Sequence, residues 1–286
     1  MTVQVTTKEK KVKTWASSRM MRSLQGITAL VTGASSGIGK AMARELASHG
    51  AHLILVSRNA QRLEQEAEDL RIRFGVATHV FPADLNRPEK RQELFDRILA
   101  QGFTVDLLVN NAGLAHYGPF VGSSLEETDE MLTLNVQALT HLTRLFLPGM
   151  IERKKGGVLN VASTAGFQPI PNLSVYAATK AFVLNFSEAL WEECRGSGVR
   201  IFCLCPGNTL TRFHQAAGID RQRMFFSASA ADVARFGLKK FLHSGRPSGI
   251  YGFWNKLMIY AERLSPRRLT VFVTGLMYRS GKKPAV

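Results

Sequence analysis

The stretch ITALVTGASSGIG, residues Ile27 to Gly39, decides the fold of this chain. It opens as an apolar run typical of a buried strand and continues into three glycines with the spacing Gly33-x-x-x-Gly37-x-Gly39, after which a helical pattern extends through Ser48. Residues without a Cβ let backbone amides approach a pyrophosphate, and the positive end of the following helix favours its charge. The alternative interpretation is that these glycines only form the turn between a strand and a helix.

Strand and helix patterns alternate from residue 27 to about residue 252 with no linker-like stretch between them. Consecutive apolar strands with helices between them indicate a parallel sheet covered on both faces. We therefore predict an α/β fold, a Rossmann-type doubly wound parallel sheet of about seven strands in a single domain. The predicted strands are 27–32, 51–57, 76–82, 105–110, 157–162, 198–204 and 249–252, and the predicted helices include 89–100, 125–146 and 175–194.

The second predicted strand, AHLILVS from Ala51 to Ser57, is followed by Arg58. The carboxylate that commonly binds a ribose 2′-hydroxyl at this place is absent at Ser57. A guanidinium binds phosphate with two parallel hydrogen bonds, so Arg58 favours a 2′-phosphate and hence NADP(H) over NAD(H). The alternative is that Arg58 only caps a surface loop.

Polar residues also follow the later strands. Asp84 lies just past a strand end, where it could accept a hydrogen bond from an adenine amino group, and Asn110 to Gly113 (NNAG) end a buried strand with a wall that a cofactor can approach closely. Asn135 lies among apolar neighbours in the helical stretch 125–146. Each residue also has an ordinary structural interpretation: Asp84 as a cap, the two asparagines as turn formers, and Asn135 as a core amide.

Tyr176 and Lys180 stand four residues apart on a predicted helix, and Ser163 follows the apolar run 158–162 thirteen residues upstream. This spacing places phenol and ammonium on one helix face, where we expect the cation to lower the pKa of the phenol. The pattern predicts an acid that donates a proton to a carbonyl oxygen. Tyr278 and Lys282 repeat the spacing in the tail with no strand or serine before them, so Tyr278→Phe is expected to have little effect.

Taken in chain order, TGASSGIG, Asp84, NNAG, Asn135, Ser163, Tyr176-x-x-x-Lys180 and Pro206-Gly207 resemble the classical short-chain dehydrogenase/reductase family. The resemblance spans residues 26 to about 252 and implies a nicotinamide cofactor and hydride transfer to or from a carbonyl carbon. It implies Tyr176 as general acid or base, Ser163 as the carbonyl-polarising donor, Lys180 as the ribose-binding cation, and Asn135 as the residue that holds a water in the proton relay. The family commonly has a valine near Thr209, and Thr211 matches its threonine better. The cofactor-binding set so implied is Gly33, Ser35, Ser36, Gly37, Ile38, Gly39, Arg58, Asp84, Leu85, Asn110, Asn111, Ala112, Gly113, Tyr176, Lys180, Pro206, Gly207, Thr209 and Thr211.

The tail and the apolar stretch from Phe213 to Phe226 are similar, more weakly, to family members that reduce long acyl chains or hydroxysteroids. We therefore expect an NADPH-dependent oxidoreductase of lipid metabolism that reduces a hydrophobic ketone, or oxidises the matching secondary alcohol, and forms a homo-oligomer. The alternative is a non-catalytic dinucleotide-binding scaffold or redox sensor. The intact set of Ser163, Tyr176 and Lys180 argues against that alternative.

Charge divides the chain into three parts. The net charge is +15, but residues 1–26 carry +5 and residues 246–286 carry +7, which leaves +3 for the body between them. A nearly neutral body argues against nucleic-acid binding. We expect 1–25 to be a basic, disordered leader, 26–252 to be an NADP-binding catalytic Rossmann domain, and 253–286 to be a basic hydrophobic C-terminal extension.

The extension has two interpretations. Arg263, Arg267 and Arg268 interrupt its apolar residues, so neither apolar run reaches the ~20 residues that a bilayer-spanning helix needs. The extension is either a core or dimer-packing element, or an amphipathic segment that contacts an anionic membrane surface.

The cysteines indicate a reducing compartment. Cys194, Cys203 and Cys205 form no disulfide framework, and no metal-ligand spacing is found among the histidines and cysteines, so we expect no metal site. The first residues lack the apolar region of a secretory signal. We expect a cytoplasmic protein, with peripheral membrane contact if the extension is the amphipathic segment rather than a packing element.

Overall fold

The computed structural model describes residues 24–211, 213, 217 and 227–278. Most of the predicted leader (1–25), most of the apolar stretch 213–226, and the end of the extension with Lys282 lie outside the described residues. The strands are β1 (Thr28–Thr32), β2 (His52–Ser57), β3 (Thr78–Pro82), β4 (Leu107–Asn110), β5 (Gly156–Val161), β6 (Val199–Cys205), β7 (Thr209–Leu210), β8 (Ala228–Ser229) and β9 (Ser248–Ile250).

Seven of these strands form one parallel sheet in the order β3-β2-β1-β4-β5-β6-β9. The predicted strand bounds agree with this sheet to within two residues at each end. The short parallel pair of β7 with β8 was not predicted. Two-residue strands carry too little periodicity to be found from sequence.

Helices connect the strands. They are α1 (Gly37–Ser48), α2 (Ala60–Phe74), α3 (Pro88–Ala100), α4 (Leu125–Leu132), α5 (Leu139–Glu152), α6 (Ser174–Glu193), α7 (Ala230–His243), α8 (Phe253–Leu264) and α9 (Arg267–Met277). The predicted helix 125–146 is α4 and the start of α5 joined by a π-helical turn, Thr133–Ala138, which contains Asn135.

Two hydrophobic clusters lie on opposite faces of the sheet. Along β1, Ala29 and Val31 belong to one cluster and Leu30 to the other, and all three side chains are fully buried. Alternation of this kind, with apolar residues on both faces, is what helices on both sides of a parallel sheet require. The predicted doubly wound single domain is confirmed.

The sheet also fixes where a ligand can bind. β1 pairs with β2 on one side and with β4 on the other, so the direction of the strand order reverses at β1. The connections leave opposite faces of the sheet there and open a crevice beyond the carboxyl ends of the strands. The glycine turn after β1 and Asn111 at the end of β4 meet in this crevice.

The C-terminal extension packs onto the domain. Ile259 of α8 and Thr270 and Thr274 of α9 are buried, and the Thr274 hydroxyl donates to the Pro169 carbonyl over 2.9 Å. Across the described residues, every helix falls short of the length and apolar character needed to traverse a membrane.

Candidate active site

The glycine turn after β1 presents an open helix N-terminus. Gly33 and Gly37 have φ angles of +66° and +55°, a conformation that favours glycine, and a Cβ on Gly33 would lie 2.7 Å from Asn111 Nδ2. Ser36, the residue before α1, makes no side-chain capping bond among the described residues, and the first turn contains no acidic residue. The first amides of α1 are therefore left for an anion, as a pyrophosphate site requires.

Two predicted cofactor residues lie behind this surface and do not line the cleft. A Cβ on Gly39 would lie 2.4 Å from both the Gly33 carbonyl and Asn111 Nδ2, so Gly39 allows α1 to pack closely on the turn. Asn110 is buried, and its Nδ2 donates to Thr143 Oγ1 and Asn160 Oδ1, both at 3.0 Å. The contacts of these two residues support the turn and the sheet, and cofactor contact at either of them stays a prediction.

Past β2, the cleft is lined by Ser57, Arg58, Asn59 and Arg62, and past β3 by Asp84, Leu85 and Asn86. Arg58 Nη1 lies 3.3 Å from Glu130 Oε1, and the Arg58 side chain is 64% exposed. Buried Ser57 Oγ and Asn86 Oδ1 find no hydrogen-bond partner among the described residues. Unpartnered buried polar atoms beside two arginines suit a polar, anionic ligand.

Ser163 begins a short 3₁₀ turn, Thr164–Phe167, directly after β5. Its hydroxyl accepts from the Ala165 amide over 3.1 Å and lies 3.5 Å from the Pro206 carbonyl. Tyr176 lies in the first turn of α6, and both side chains line the cleft. The fold thus brings the loop after β5 and the start of α6 together, as the sequence spacing predicts.

The pKa of Tyr176 is shifted in the opposite direction to that predicted. Burial raises the pKa of Tyr176 to about 12, the hydrogen bond with Ser163 opposes this shift, and the nearby Tyr278 adds to it. Lys180 Nζ lies 5.8 Å from the Tyr176 ring centroid and donates to the Val161 carbonyl over 2.9 Å. Desolvation therefore dominates, and the phenol is protonated at neutral pH, as a proton donor must be.

Lys180 is itself buried beneath the cleft. Burial lowers its pKa to about 8, while the thiols of Cys203 and Cys205 act in the opposite direction. A Cβ on Gly113 would lie 3.5 Å from its Nζ and 3.0 Å from Asn135 Oδ1. The glycine of NNAG therefore leaves the ammonium accessible from the cleft.

Backbone groups of Leu114 and the Thr179 hydroxyl hold the Asn135 side chain. Its Oδ1 accepts from the Leu114 amide and its Nδ2 donates to the Leu114 carbonyl, both at 2.9 Å, and Nδ2 also lies 3.1 Å from Thr179 Oγ1. Thr179 Oγ1 in turn donates to the Tyr176 carbonyl over 2.7 Å. The Asn135 side chain does not line the cleft. Its hydrogen bonds connect the loop after β4 to the helix that carries Tyr176.

The cleft joins these parts in one cavity of about 1170 Å³. The predicted residues that line it are Gly33, Ser35, Ser36, Gly37, Ile38, Arg58, Asp84, Leu85, Asn111, Ala112, Gly113, Ser163, Tyr176, Lys180, Pro206, Gly207, Thr209 and Thr211.

A family model of the short chain dehydrogenases matches residues 27–222, which include the glycine turn, Ser163, Tyr176 and Lys180. The chain belongs to the short-chain dehydrogenase family. The resemblance seen in the sequence is confirmed by this match.

Named relatives and solved structures agree with this assignment. The chain is 40% identical to a very-long-chain 3-oxoacyl-CoA reductase of Anas platyrhynchos over 65% of its own length and 61% of that protein's length. It is 34% identical to the reductase of the same name from Laccaria bicolor, over 84% and 72% of the two chains. A short-chain dehydrogenase from Sphingobium yanoikuyae, solved in complex with NADPH, superposes with a TM-score of 0.75 at 34% identity and covers 83% of this chain and 94% of that one.

The cleft residues of the present chain, itself a short-chain dehydrogenase, fit a nicotinamide dinucleotide. The open α1 terminus suits the pyrophosphate, and the unpartnered Ser57 and Asn86 oxygens suit a polar ribose end.

Sequence reasoning missed the other end of the cleft, which Tyr117, Ile170, Leu173, Phe213 and Tyr278 line. Tyr278 packs in one cluster with Tyr117, Tyr176 and Phe213, and the ring centroids of Tyr176 and Phe213 are 5.6 Å apart. The expectation that Tyr278→Phe has little effect stays a prediction, although Tyr278 lies at the cleft. The only signal in the sequence was an aromatic residue in an apolar tail, which does not indicate where the tail packs.

Proposed function

We propose that this chain is an NADPH-dependent ketoreductase that reduces a hydrophobic carbonyl compound. The observation that carries the proposal is the convergence of Ser163, protonated Tyr176 and Lys180 in one cleft with an open helix N-terminus. The aromatic and aliphatic lining beyond Tyr176 favours an apolar substrate. The names of the relatives support a lipid-derived 3-oxoacyl thioester as one candidate class.

A reduced nicotinamide dinucleotide held by the glycine turn and Lys180 would supply the hydride that reduces the carbonyl carbon. The Ser163 hydroxyl hydrogen-bonds the carbonyl oxygen and polarises it. The Tyr176 phenol transfers its proton to the same oxygen as negative charge develops there, giving the alcohol. Lys180 binds the ribose through its ammonium, and the same groups run alcohol oxidation in reverse. A role for Asn135 in holding a relay water stays a prediction.

The test is consumption of NADPH, followed by its absorbance, with a panel of cyclic ketones, steroids and 3-oxoacyl thioesters of increasing chain length. Rates should rise from the short polar substrates to the apolar ones and vanish without a carbonyl compound. A protein that binds NADPH but consumes none with any member of the panel would favour the alternative, a dinucleotide-binding scaffold or redox sensor.

Arg58→Ala should weaken NADPH binding about ten- to a hundredfold and leave NADH binding nearly unchanged, because a charge-assisted contact contributes about 1.5–3 kcal/mol. Only NADPH carries the 2′-phosphate that a guanidinium binds with two parallel hydrogen bonds. Fluorescence titration with both cofactors measures the two affinities.

Arg235→Ala is the matched control for this prediction. Arg235 is 63% exposed and pairs with Asp232 over 3.2 Å, much like Arg58 with Glu130, but it lies away from the cleft. The control should bind both cofactors as the wild type does. If Arg58→Ala loses the same factor in affinity for NADPH and for NADH, then Arg58 has a structural role.

We also propose that α8 and α9 contact an anionic membrane surface. The α8–α9 surface has the exposed residues Phe253, Trp254, Leu257, Met258, Tyr260, Leu264, Leu269, Val271, Phe272, Val273, Leu276 and Met277. Lys256, Arg263, Arg267 and Arg268 lie on the same helices, and their one acidic residue is Glu262. Burial raises the pKa of Glu262 to about 7, which reduces its negative charge at neutral pH. Exposed aromatics among cations favour an anionic lipid interface.

Trp254→Ser with Leu257→Ser should reduce binding to phosphatidylserine vesicles at least about tenfold, because each buried apolar side chain contributes about 1.5–3 kcal/mol. Binding of the wild type should weaken with salt, since each basic residue near the surface contributes about 1 kcal/mol electrostatically. Cosedimentation with vesicles at low and high salt measures both effects. Truncation of the tail is unsuitable, because Met277 and Tyr278 line the cleft.

The paired control is Ile72→Ser with Leu99→Ser. These side chains are 75% and 52% exposed on α2 and α3, away from the α8–α9 surface. The control should bind vesicles as the wild type does. A wild-type protein that ignores anionic vesicles at low salt would contradict the membrane proposal and favour a subunit-contact role for the surface.

A further inference from the structure

Tyr278 follows α9, and two separate loops hold its backbone. Its carbonyl oxygen accepts from the Tyr117 hydroxyl over 2.8 Å and from Asn172 Nδ2 over 2.7 Å. Tyr117 lies in the loop after β4 and Asn172 in the loop before α6. We call this arrangement the Tyr278 clasp: two donors, each more than a hundred residues away in sequence, that converge on one carbonyl.

The two loops that supply the clasp donors are themselves held by backbone contacts. Asn172 has a φ angle of +65°, a conformation that asparagine tolerates better than most residues. Its carbonyl accepts from the Gly118 amide over 2.9 Å, so the two loops that supply the donors are also bonded to each other. One turn earlier, the Thr274 hydroxyl bonds the Pro169 carbonyl. The end of α9 is therefore anchored to the same loop at two points.

Because the clasp uses only the Tyr278 backbone, it leaves the phenol ring to line the cleft. Tyr278, Tyr117, Tyr176 and Phe213 pack against the same buried cluster and line the cleft. Tyr278 lines the same cleft as the proposed proton donor Tyr176, and burial and the nearby Tyr117 phenol raise the pKa of Tyr278. A ligand whose carbonyl reaches Tyr176 would have its apolar body in the region that Tyr278 borders.

We propose that Tyr278 is a substrate-binding residue that selects bulky hydrophobic ketones, and that the clasp of Tyr117 and Asn172 positions it. This inference rests on the proposed ketoreductase function, because it assigns the substrate end of the same cleft. Aromatic rings that contact an apolar ligand contribute to its binding through buried area and ring stacking. The C-terminal extension thereby serves the reaction as well as the fold.

The experiment measures binding and turnover separately, with 2-acetonaphthone as the bulky ketone and acetone as the small one. Tyr278→Ala should raise the Kd of the full chain for 2-acetonaphthone, measured by equilibrium dialysis with NADP⁺ present so that the ketone is not reduced, at least about tenfold. NADPH affinity should be unchanged, and kcat/KM should fall far more for 2-acetonaphthone than for acetone. Tyr117→Phe with Asn172→Gly removes both clasp donors, retains the left-handed backbone at 172, and should give a smaller change in the same direction.

Tyr260→Ala is the control, since Tyr260 is a tyrosine of the same extension that is 56% exposed. It should bind both ketones as the wild type does. Circular dichroism identifies misfolded variants, and the milder Tyr278→Leu, which keeps an apolar side chain, then replaces Tyr278→Ala with the same expected direction.

Failure of the Tyr278 proposal and failure of the ketoreductase proposal give different results. A folded Tyr278 variant that binds 2-acetonaphthone with wild-type affinity would overturn the Tyr278 proposal whatever its turnover. If the wild type binds 2-acetonaphthone more tightly than Tyr278→Ala does, but consumes no NADPH with any carbonyl compound, the Tyr278 proposal is supported and the ketoreductase function is contradicted.

Discussion

Tyr176→Phe is expected to reduce turnover by a factor of about 10² to 10⁴, the range that a positioned general acid contributes. The substitution removes the hydroxyl and keeps the ring that packs against Phe213, whose centroid lies 5.6 Å away. NADPH affinity should stay nearly unchanged, because Lys180 and the glycine turn remain. Stopped-flow measurement of NADPH oxidation and fluorescence titration of NADPH give the two quantities.

Tyr260→Phe is the control for this substitution, since Tyr260 is exposed on α8, away from the cleft. It should leave both quantities at wild-type values. Wild-type turnover in Tyr176→Phe would show that another group donates the proton, and the assignment of Tyr176 would be wrong.

Lys180→Met should abolish high-affinity NADPH binding and turnover while making the protein more stable at neutral pH. Burial lowers the pKa of Lys180 from 10.5 to about 8. The folded state therefore holds an ammonium that would be better solvated in the unfolded chain, at a cost of roughly 3 kcal/mol at pH 7. Loss of the charge-assisted bond to the Val161 carbonyl offsets this gain by about 1.5–3 kcal/mol, so we expect a net stabilisation of at most about 2 kcal/mol.

The pH dependence of the free energy of unfolding gives a second test of the Lys180→Met prediction. Between about pH 8 and pH 10 the unfolded state binds more protons at this lysine than the folded state does, so wild-type stability should rise with pH relative to Lys180→Met. Urea unfolding at pH 7 and at about pH 9.5 measures this difference. Lys239→Met, an exposed lysine on α7, is the control and should keep the wild-type pH dependence and NADPH binding. A Lys180→Met protein less stable than the wild type at pH 7 would show that its hydrogen bonding outweighs desolvation.

The sequence predicted the parts of the site that depend on short-range spacing. The glycine turn, the Tyr176 and Lys180 pair and the strand bounds follow from local rules: positive φ angles, helical periodicity and apolar runs. Arg58 was found because it directly follows a strand whose end faces the crevice.

The same local reasoning does not tell how deeply a residue is buried. Gly39 and Asn110 belong to the right motifs but lie behind the cleft, one against the Gly33 carbonyl and the other bonded to Thr143 and Asn160. Spacing predicts which residues share a face or a turn. It does not predict which of them a neighbouring element covers, because that depends on packing between distant segments.

The sequence by itself therefore determined the fold class, the order of the motifs and the chemistry of the proposed proton donor, since each depends on residues close together in the chain. Only the tertiary structure decided that the pKa of Tyr176 rises rather than falls, because burial is a property of the packed interior and it outweighs the opposing hydrogen bond with Ser163. Only the tertiary structure brought Tyr278 to the cleft, because its carbonyl meets Tyr117 and Asn172 through contacts spanning 161 and 106 residues. No local pattern encodes contacts between segments so far apart in the chain.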